Sequence, residues 1–316
     1  MKKLKIAQLG VGSHSQINHL PSAARYVELH AGEIELVGLC DLREQEARTA
    51  AEEYGFARVY TDLGEMLDIE KPDGCIAITP LEATLPIATQ IIRTGTPLLM
   101  EKPPGVDLSE TRQIVDLVEG TGSRVMVSVN RRFDLALQKA LAWRGDKPLE
   151  YLRTTMIRHR RVEPSFMTGT AIHAVDAMRH IAGDVRDYTV DVRMVAGAWW
   201  YVAQFEFAAG THGTLEVLTT GGRKGEHYEL FGPDYSVSAG VADFDTGGMK
   251  AWEKGNLVVD EIIAPDLPNF VRNGAYGELV EFIASLREDR APRPTPADVL
   301  QTVEICDALQ RVAEKK

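Results

Sequence analysis

One glycine-rich turn constrains this chain more than any other feature. Residues 4–9 (LKIAQL) form a short apolar run, and Gly10-Val11-Gly12-Ser13-His14-Ser15 follows directly and opens a helix-forming stretch. The pattern fits G-x-G-x-x-[G/A/S]. Its first glycine turns tightly, its second lets backbone approach a pyrophosphate, and a small third residue allows close helix packing. The helix N-terminus then favours the negative charge. A second apolar run, 34–40, ends at Asp41. An acid there can accept hydrogen bonds from the adenosine ribose hydroxyls, which favours NAD. Arg43, two residues on, can pair with a 2′-phosphate, so NADP stays open. The expected cofactor contacts are Gly10, Gly12, Ser13, His14, Ser15, Asp41 and Arg43. Glycines after a strand often make only a turn. Here the strand before, the helix after and Asp41 point to dinucleotide binding.

The first half continues as alternating elements. Further apolar runs lie at 74–78, 97–100 and 125–129, and helix-forming stretches at 44–54, 83–93 and 109–119. Uniformly apolar strands joined by helices argue for a parallel sheet covered on both faces. The second half changes texture. Strand-like segments at 149–158, 189–195, 200–207, 213–218, 228–231 and 235–238 are separated by Gly-rich turns. In one of them Tyr201, Ala203, Phe205 and Phe207 alternate with Trp200, Val202, Gln204 and Glu206. These features predict an N-terminal Rossmann domain, 1–128, and a C-terminal α+β domain with an open, mostly antiparallel sheet, 129–316. Two helices, about 276–288 and 297–314, close the chain.

Composition narrows the function classes. The 316 residues are 44% hydrophobic and 26% charged, ordinary for a soluble globular protein. A formal net charge of -11 disfavours nucleic-acid and anionic-membrane partners. No apolar run approaches the roughly 20 residues of a membrane span, and the start lacks a signal-peptide pattern. Cys40, Cys75 and Cys306 are isolated and are expected to be buried reduced thiols in a cytoplasmic protein. The eight histidines are scattered, and no metal ligand set is expected from their spacing.

Glu101-Lys102-Pro103 after the fourth strand-like run, with GVGSHS, CDLRE, YTDLGEML, KPDGCIAITP, GTPLLMEKPP, VNRRFD and HAVDAMRHIAGDV, resembles the Gfo/Idh/MocA family of nicotinamide-dependent dehydrogenases. The resemblance runs along nearly the whole chain. It implies a Rossmann domain, then an open antiparallel sheet domain, with the terminal helix packed back on the first. It also implies that Lys102 lies between nicotinamide and substrate and handles the proton of the reacting oxygen, chemistry suited to an ammonium or an amine. Glu101 then supports the cofactor and orients this loop, and Thr79-Pro80 passes under the nicotinamide half. The family often has histidine where this chain has Thr84, so the imidazole contact is lost while a hydroxyl remains. Arg132 matches a segment where a basic residue lies near cofactor or substrate. A structural ion pair is an equal reading for it.

The stretch 169–182 (GTAIHAVDAMRHIA) predicts a helix. At about 100° per residue His173, Asp176 and His180 share one narrow face, away from Ala171, Ile172, Val175, Met178 and Ala182. By the resemblance His173 contacts substrate, as a second catalytic group, and Asp176, an acid one turn on, is a further substrate-site residue, holding the imidazole or the helix. Many members have aspartate four residues before that histidine, and this chain has Gly169, which puts the usual proton relay in doubt. The implied activity is hydride transfer between NAD(P) and a secondary alcohol or ketone of a sugar, cyclitol or related polyol. The alternatives are a catalytically impaired cofactor-binding regulator or sensor, and an enzyme that keeps one cofactor tightly bound through both half-reactions. An uncovered sheet face near Trp199, Trp200 and Tyr201 leads us to expect a homo-oligomer.

Overall fold

The computed structural model describes residues 2–244 and 247–316, and the chain divides into two compact units. The first runs to Val129 and includes Ala275–Leu300; the second comprises Asn130–Gly274 and Gln301–Lys316.

The first unit is built on six strands: β1 (Leu4–Leu9), β2 (Ile34–Cys40), β3 (Arg58–Tyr60), β4 (Gly74–Ala77), β5 (Leu98–Glu101) and β6 (Val125–Ser128). They are parallel throughout, in the order β3-β2-β1-β4-β5-β6. The order reverses at β1, so β1 and β4 diverge at the topological switch point, where open α/β sheets bind ligands. Strand β3 escaped the sequence reading because it is three residues long at the sheet edge, and its apolar content is Val59 and Tyr60 alone. The helices end as the sequence dictates. Glu44–Tyr54 stops at Gly55, whose φ of +82° only glycine adopts without strain. Leu108–Thr121 starts at Asp107, whose carboxylate accepts the Glu110 N–H.

A later segment completes this unit. The helix Ala275–Arg287 presses Phe282 and Leu286 against Gly74, where an added Cβ would lie 2.8 Å from Leu286 and 3.0 Å from Phe282. Its Glu278 also accepts a buried hydrogen bond from the Ser128 hydroxyl at 2.9 Å. The final helix, Pro296–Glu314, begins in the first unit, and its residues from Gln301 onward belong to the second.

The second unit carries eight strands: β7 (Tyr151–Ile157), β8 (Val185–Val195), β9 (Ala198–Phe207), β10 (His212–Leu218), β11 (Gly225–Gly232), β12 (Tyr235–Gly240), β13 (Gly248–Glu253) and β14 (Asn256–Ile262). Their order is β14-β13-β12-β11-β7-β10-β9-β8. Every neighbouring pair is antiparallel except β7 with β10. That pair is parallel because the chain leaves β7, crosses through the helix Ile172–Ala182, and returns by β8 and β9. The alternation in β9 resolves as predicted: Tyr201, Ala203, Phe205 and Phe207 are buried, while Val202 and Gln204 are exposed. Tyr201 is therefore withdrawn from any partner-binding face. Trp200 is only half-buried and donates its indole N–H to Thr220. Strands β13 and β14 were missed because their apolar residues do not alternate cleanly: Ala251-Trp252 and Leu257-Val258-Val259 run together among Lys, Glu and Asp.

The three cysteines are free and buried. Burial pushes the thiols of Cys40 and Cys75 up to about 12, so both stay protonated and inert. Among the described residues no helix is long and apolar enough to cross a membrane.

Candidate dinucleotide-binding site

A cavity of about 760 Å³ opens at the switch point of the first unit. Its floor is the glycine turn, one wall is Asp41–Arg43, and the other is Thr79-Pro80. The two glycines do different work. Gly10 has φ +98°, and a Cβ there would sit 2.0 Å from the Ile78 carbonyl oxygen, so strand packing alone demands glycine. A Cβ on Gly12 would meet nothing within 4 Å. Packing does not explain that glycine, but a group approaching the backbone does, so the loop fits a pyrophosphate.

Ser15 is fully buried, donating to the Gly10 carbonyl and accepting from Gln8, both at 2.7 Å. Its hydroxyl braces the turn from behind rather than reaching a ligand. Ser13 and His14 are exposed along the cavity wall. Asp41 accepts the Val11 N–H at 2.8 Å and the Arg43 N–H at 2.9 Å, and the Arg43 guanidinium lies against both its oxygens. Burial alone would raise the Asp41 carboxyl. The hydrogen bonds from Arg43 and Val11 outweigh it and hold the group ionised below its ordinary range. Thr84 departs from expectation: it is buried, with its hydroxyl 3.3 Å from that of Thr79, and so steadies the Thr79-Pro80 turn. Thr61, Asp62 and Gln90 also line the cavity. Sequence reasoning did not assign them, and the only signal was Asp62, whose carboxylate caps the helix Leu63–Glu70.

Glu101 and Lys102 follow at the end of β5. Lys102 Nζ lies 3.8 Å from Glu101 Oε1. The other carboxylate oxygen faces two imidazoles, His14 Nε2 at 3.4 Å and His19 Nε2 at 3.6 Å. Burial opposes ionisation of Glu101, but the two histidines and Lys102 hold it well below the usual carboxylate range. Burial also keeps His19 below its ordinary value, hence neutral at pH 7. His19 was not singled out from sequence, because positions five apart do not share a face of an α-helix. The chain here makes a π-turn, Ser15–His19, before the α-helix Leu20–Leu29. Pro21 has no N–H for an i→i−4 bond, and a widened turn accommodates its ring.

In the second unit the helix Ile172–Ala182 presents His173, Asp176 and His180. Asp176 has no exposed surface. Arg132 grips its carboxylate through two 2.7 Å hydrogen bonds, and the Thr302 hydroxyl lies 3.4 Å away. Any contact of Asp176 with a solute therefore runs through Arg132. His173 is half-buried with its Nδ1 enclosed; His180, further along the helix, is exposed at its surface, and partial desolvation with the Arg132 charge pushes its imidazole below the ordinary value. A Cβ on Gly169 would meet nothing within 4 Å. A deeper network was not read from the sequence. Glu226, fully buried, accepts from Arg131 at 2.9 Å, from Arg158 at 2.5 Å and from the Tyr228 hydroxyl at 2.7 Å.

A doubly wound sheet with a glycine turn and strand-end acid around one cavity, followed in the chain by a mostly antiparallel sheet, defines a dinucleotide-binding scaffold. Residues 4–129 match the family described as oxidoreductases with an NAD-binding Rossmann fold. Over those residues the chain matches the Gfo/Idh/MocA family, in agreement with the resemblance read from its sequence. It is 29% identical to D-glucoside 3-dehydrogenase of Escherichia coli over 43% of this chain and 37% of that one. The match thus spans little more than a third of that relative. It is 25% identical to inositol 2-dehydrogenase of Rhizobium meliloti over 94% of this chain and 97% of that enzyme. A dehydrogenase structure from Chromobacterium violaceum shares the fold at TM-score 0.85 and 19% identity, covering 100% of this chain and 97% of that one.

Proposed function

We propose that the protein is a dehydrogenase that moves hydride between NAD and a secondary alcohol or ketone of a sugar, cyclitol or related polyol. The observation that carries the reading is the empty space beside Gly12 in a cavity that also holds an ionised Asp41. The named activities of the glucoside and inositol dehydrogenases support the substrate class. NAD, when bound, supplies the hydride acceptor. The turn at Gly10–Gly12 holds the pyrophosphate, and Asp41 receives the ribose hydroxyls and disfavours a 2′-phosphate. Arg43, already engaged with Asp41 and Glu46, is the group that would admit NADP.

Lys102 is the group assigned to the reacting oxygen. As an ammonium it polarises a carbonyl during reduction, and as an amine it accepts the alcohol proton during oxidation. Glu101 positions it. His173 holds or relays the same proton, Arg132 contacts substrate, and Asp176 fixes the Arg132 guanidinium. The regulator alternative gains nothing from these observations. A nicotinamide-absorbance screen with NAD and NADP against polyols, inositols, sugars and sugar acids tests the proposal. Turnover of any of these supports it. Stoichiometric cofactor binding without turnover across the whole panel would reject it. We further propose a cytoplasmic homo-oligomer, to be checked by sedimentation and fractionation.

A further inference from the structure

We propose that His14, His19 and Glu101 form a binding site for one divalent transition-metal ion with the coordination chemistry of zinc. The site lies wholly within the first unit and does not depend on the substrate reading above.

The distances carry the argument. His14 Nε2 and His19 Nε2 lie 3.4 Å and 3.6 Å from the same oxygen, Glu101 Oε2. Good hydrogen bonds between such atoms are about 2.7–3.2 Å long. Two ligand atoms each about 2.0–2.1 Å from a tetrahedral ion stand roughly 3.3–3.4 Å apart. The observed separations are long for hydrogen bonds and close to the edges of a coordination tetrahedron. All three donor atoms lie within 4.8 Å of one another.

The buried atoms supply the second observation. The His19 side chain is 3% exposed, and neither its Nε2 nor Glu101 Oε2 makes a hydrogen bond among the described residues. Their 3.6 Å ion pair is too long to satisfy either buried atom by a good hydrogen bond, and an ion held between them would do so. Two imidazoles and one carboxylate suit zinc, cobalt or nickel rather than magnesium or calcium.

The fold explains why these residues meet. In an α-helix, positions five apart diverge by about 140°. The π-turn Ser15–His19 takes up part of that angle and brings the rings of His14 and His19 to 5.4 Å between centroids. Asn18 lies 3.3 Å from His14 Nδ1. With its amide turned, its oxygen would accept the N–H of a metal-bound imidazole, the usual outer support for such a ligand. His14 is about half exposed on the cavity wall, which leaves a fourth position for water. Glu101 would then join the ion, through Oε2, to Lys102, beside Oε1.

The test uses full-length, tag-free protein stripped with a chelator. Zinc is titrated in competition with a chromogenic chelator, and cobalt is followed by visible absorption. The expected result is one ion per chain, the strong absorption of tetrahedral cobalt, and a zinc-dependent rise in Tm. Glu101→Gln and His14→Ala should each weaken zinc binding by at least about tenfold. Both positions border solvent or replace like with like, and Tm without metal checks that each variant folds. Less than stoichiometric binding, or variants that bind as the parent does, would overturn the site.

Discussion

The carboxylate of Asp41 at the end of β2 accepts the backbone N–H of Val11 at 2.8 Å, and so ties the ribose side of the cavity to its phosphate turn. Asp41→Ala removes that tie, the ribose acceptor and the anchor of Arg43. Charge-assisted hydrogen bonds contribute about 1.5–3 kcal/mol. NADH affinity should therefore fall by roughly tenfold to a hundredfold, while NADPH affinity holds or rises as Arg43 is released. Fluorescence titration of both cofactors checks this. A parent protein that already prefers NADPH would contradict the role given to Asp41.

The two glycines of the turn should separate folding from binding. Gly10→Ala places a methyl against the Ile78 carbonyl at positive φ, so a loss of several kcal/mol or outright misfolding is expected. Gly12→Ala meets only open space, and its stability should stay within about 0.5 kcal/mol of the parent. NAD binding should nonetheless weaken sharply, because the methyl occupies the phosphate's place. Denaturant unfolding and cofactor titration on the two variants give both readouts. Unchanged NAD affinity in Gly12→Ala would refute the pyrophosphate assignment.

Lys102→Ala should lower kcat by about 10²–10⁴ while leaving NAD binding near the parent value. His173→Ala should also slow turnover and alter the pH–rate profile. If it leaves both unchanged, His173 only lines the pocket. The space beside Gly169 admits a carboxylate, so Gly169→Asp should fold and tests whether a relay can be installed there.

Glu226 links the interior of the second unit to pH. Burial opposes its ionisation, but Arg131 and Arg158 overcome this and hold its carboxyl far below the ordinary range. A lowered folded value means the stabilisation is complete above the unfolded carboxyl's range, near about 4.3, and is lost as pH falls toward the folded value. Glu226→Gln leaves Arg158 without its carboxylate and Arg131 with Asp243 alone, and should cost about 3–5 kcal/mol at neutral pH. The gap to the parent should be flat from about pH 5 to 8 and narrow below about pH 4. Denaturant unfolding across this range measures it. A gap that widens in acid would contradict the pairing.

Much of the fold was legible because it depends on local pattern. Period-two burial in β9, continuous apolar runs in β1 and β2, and the glycine turn between strand and helix are properties of adjacent residues. They led to the two-sheet architecture and to most of the cavity wall. Short or edge elements such as β3, β13 and β14 are too brief or lack a clean period of two, and so do not stand out from loops.

What the sequence by itself determined was therefore the scaffold and the position of its phosphate turn. The roles of individual side chains were decided by tertiary structure, because they turn on partners far apart in the chain. Asp176 meets Arg132, Glu226 meets Arg131 and Arg158, and Ser128 meets Glu278. Ser15 turned inward and Thr84 was buried for the same reason: each found a hydrogen-bond partner inside the fold. Even His14 and His19, close in sequence, meet only because one turn of helix widens beside Pro21 and Glu101 arrives from β5. A buried polar group must find its partner wherever the folded chain supplies one, and spacing along the sequence does not encode that.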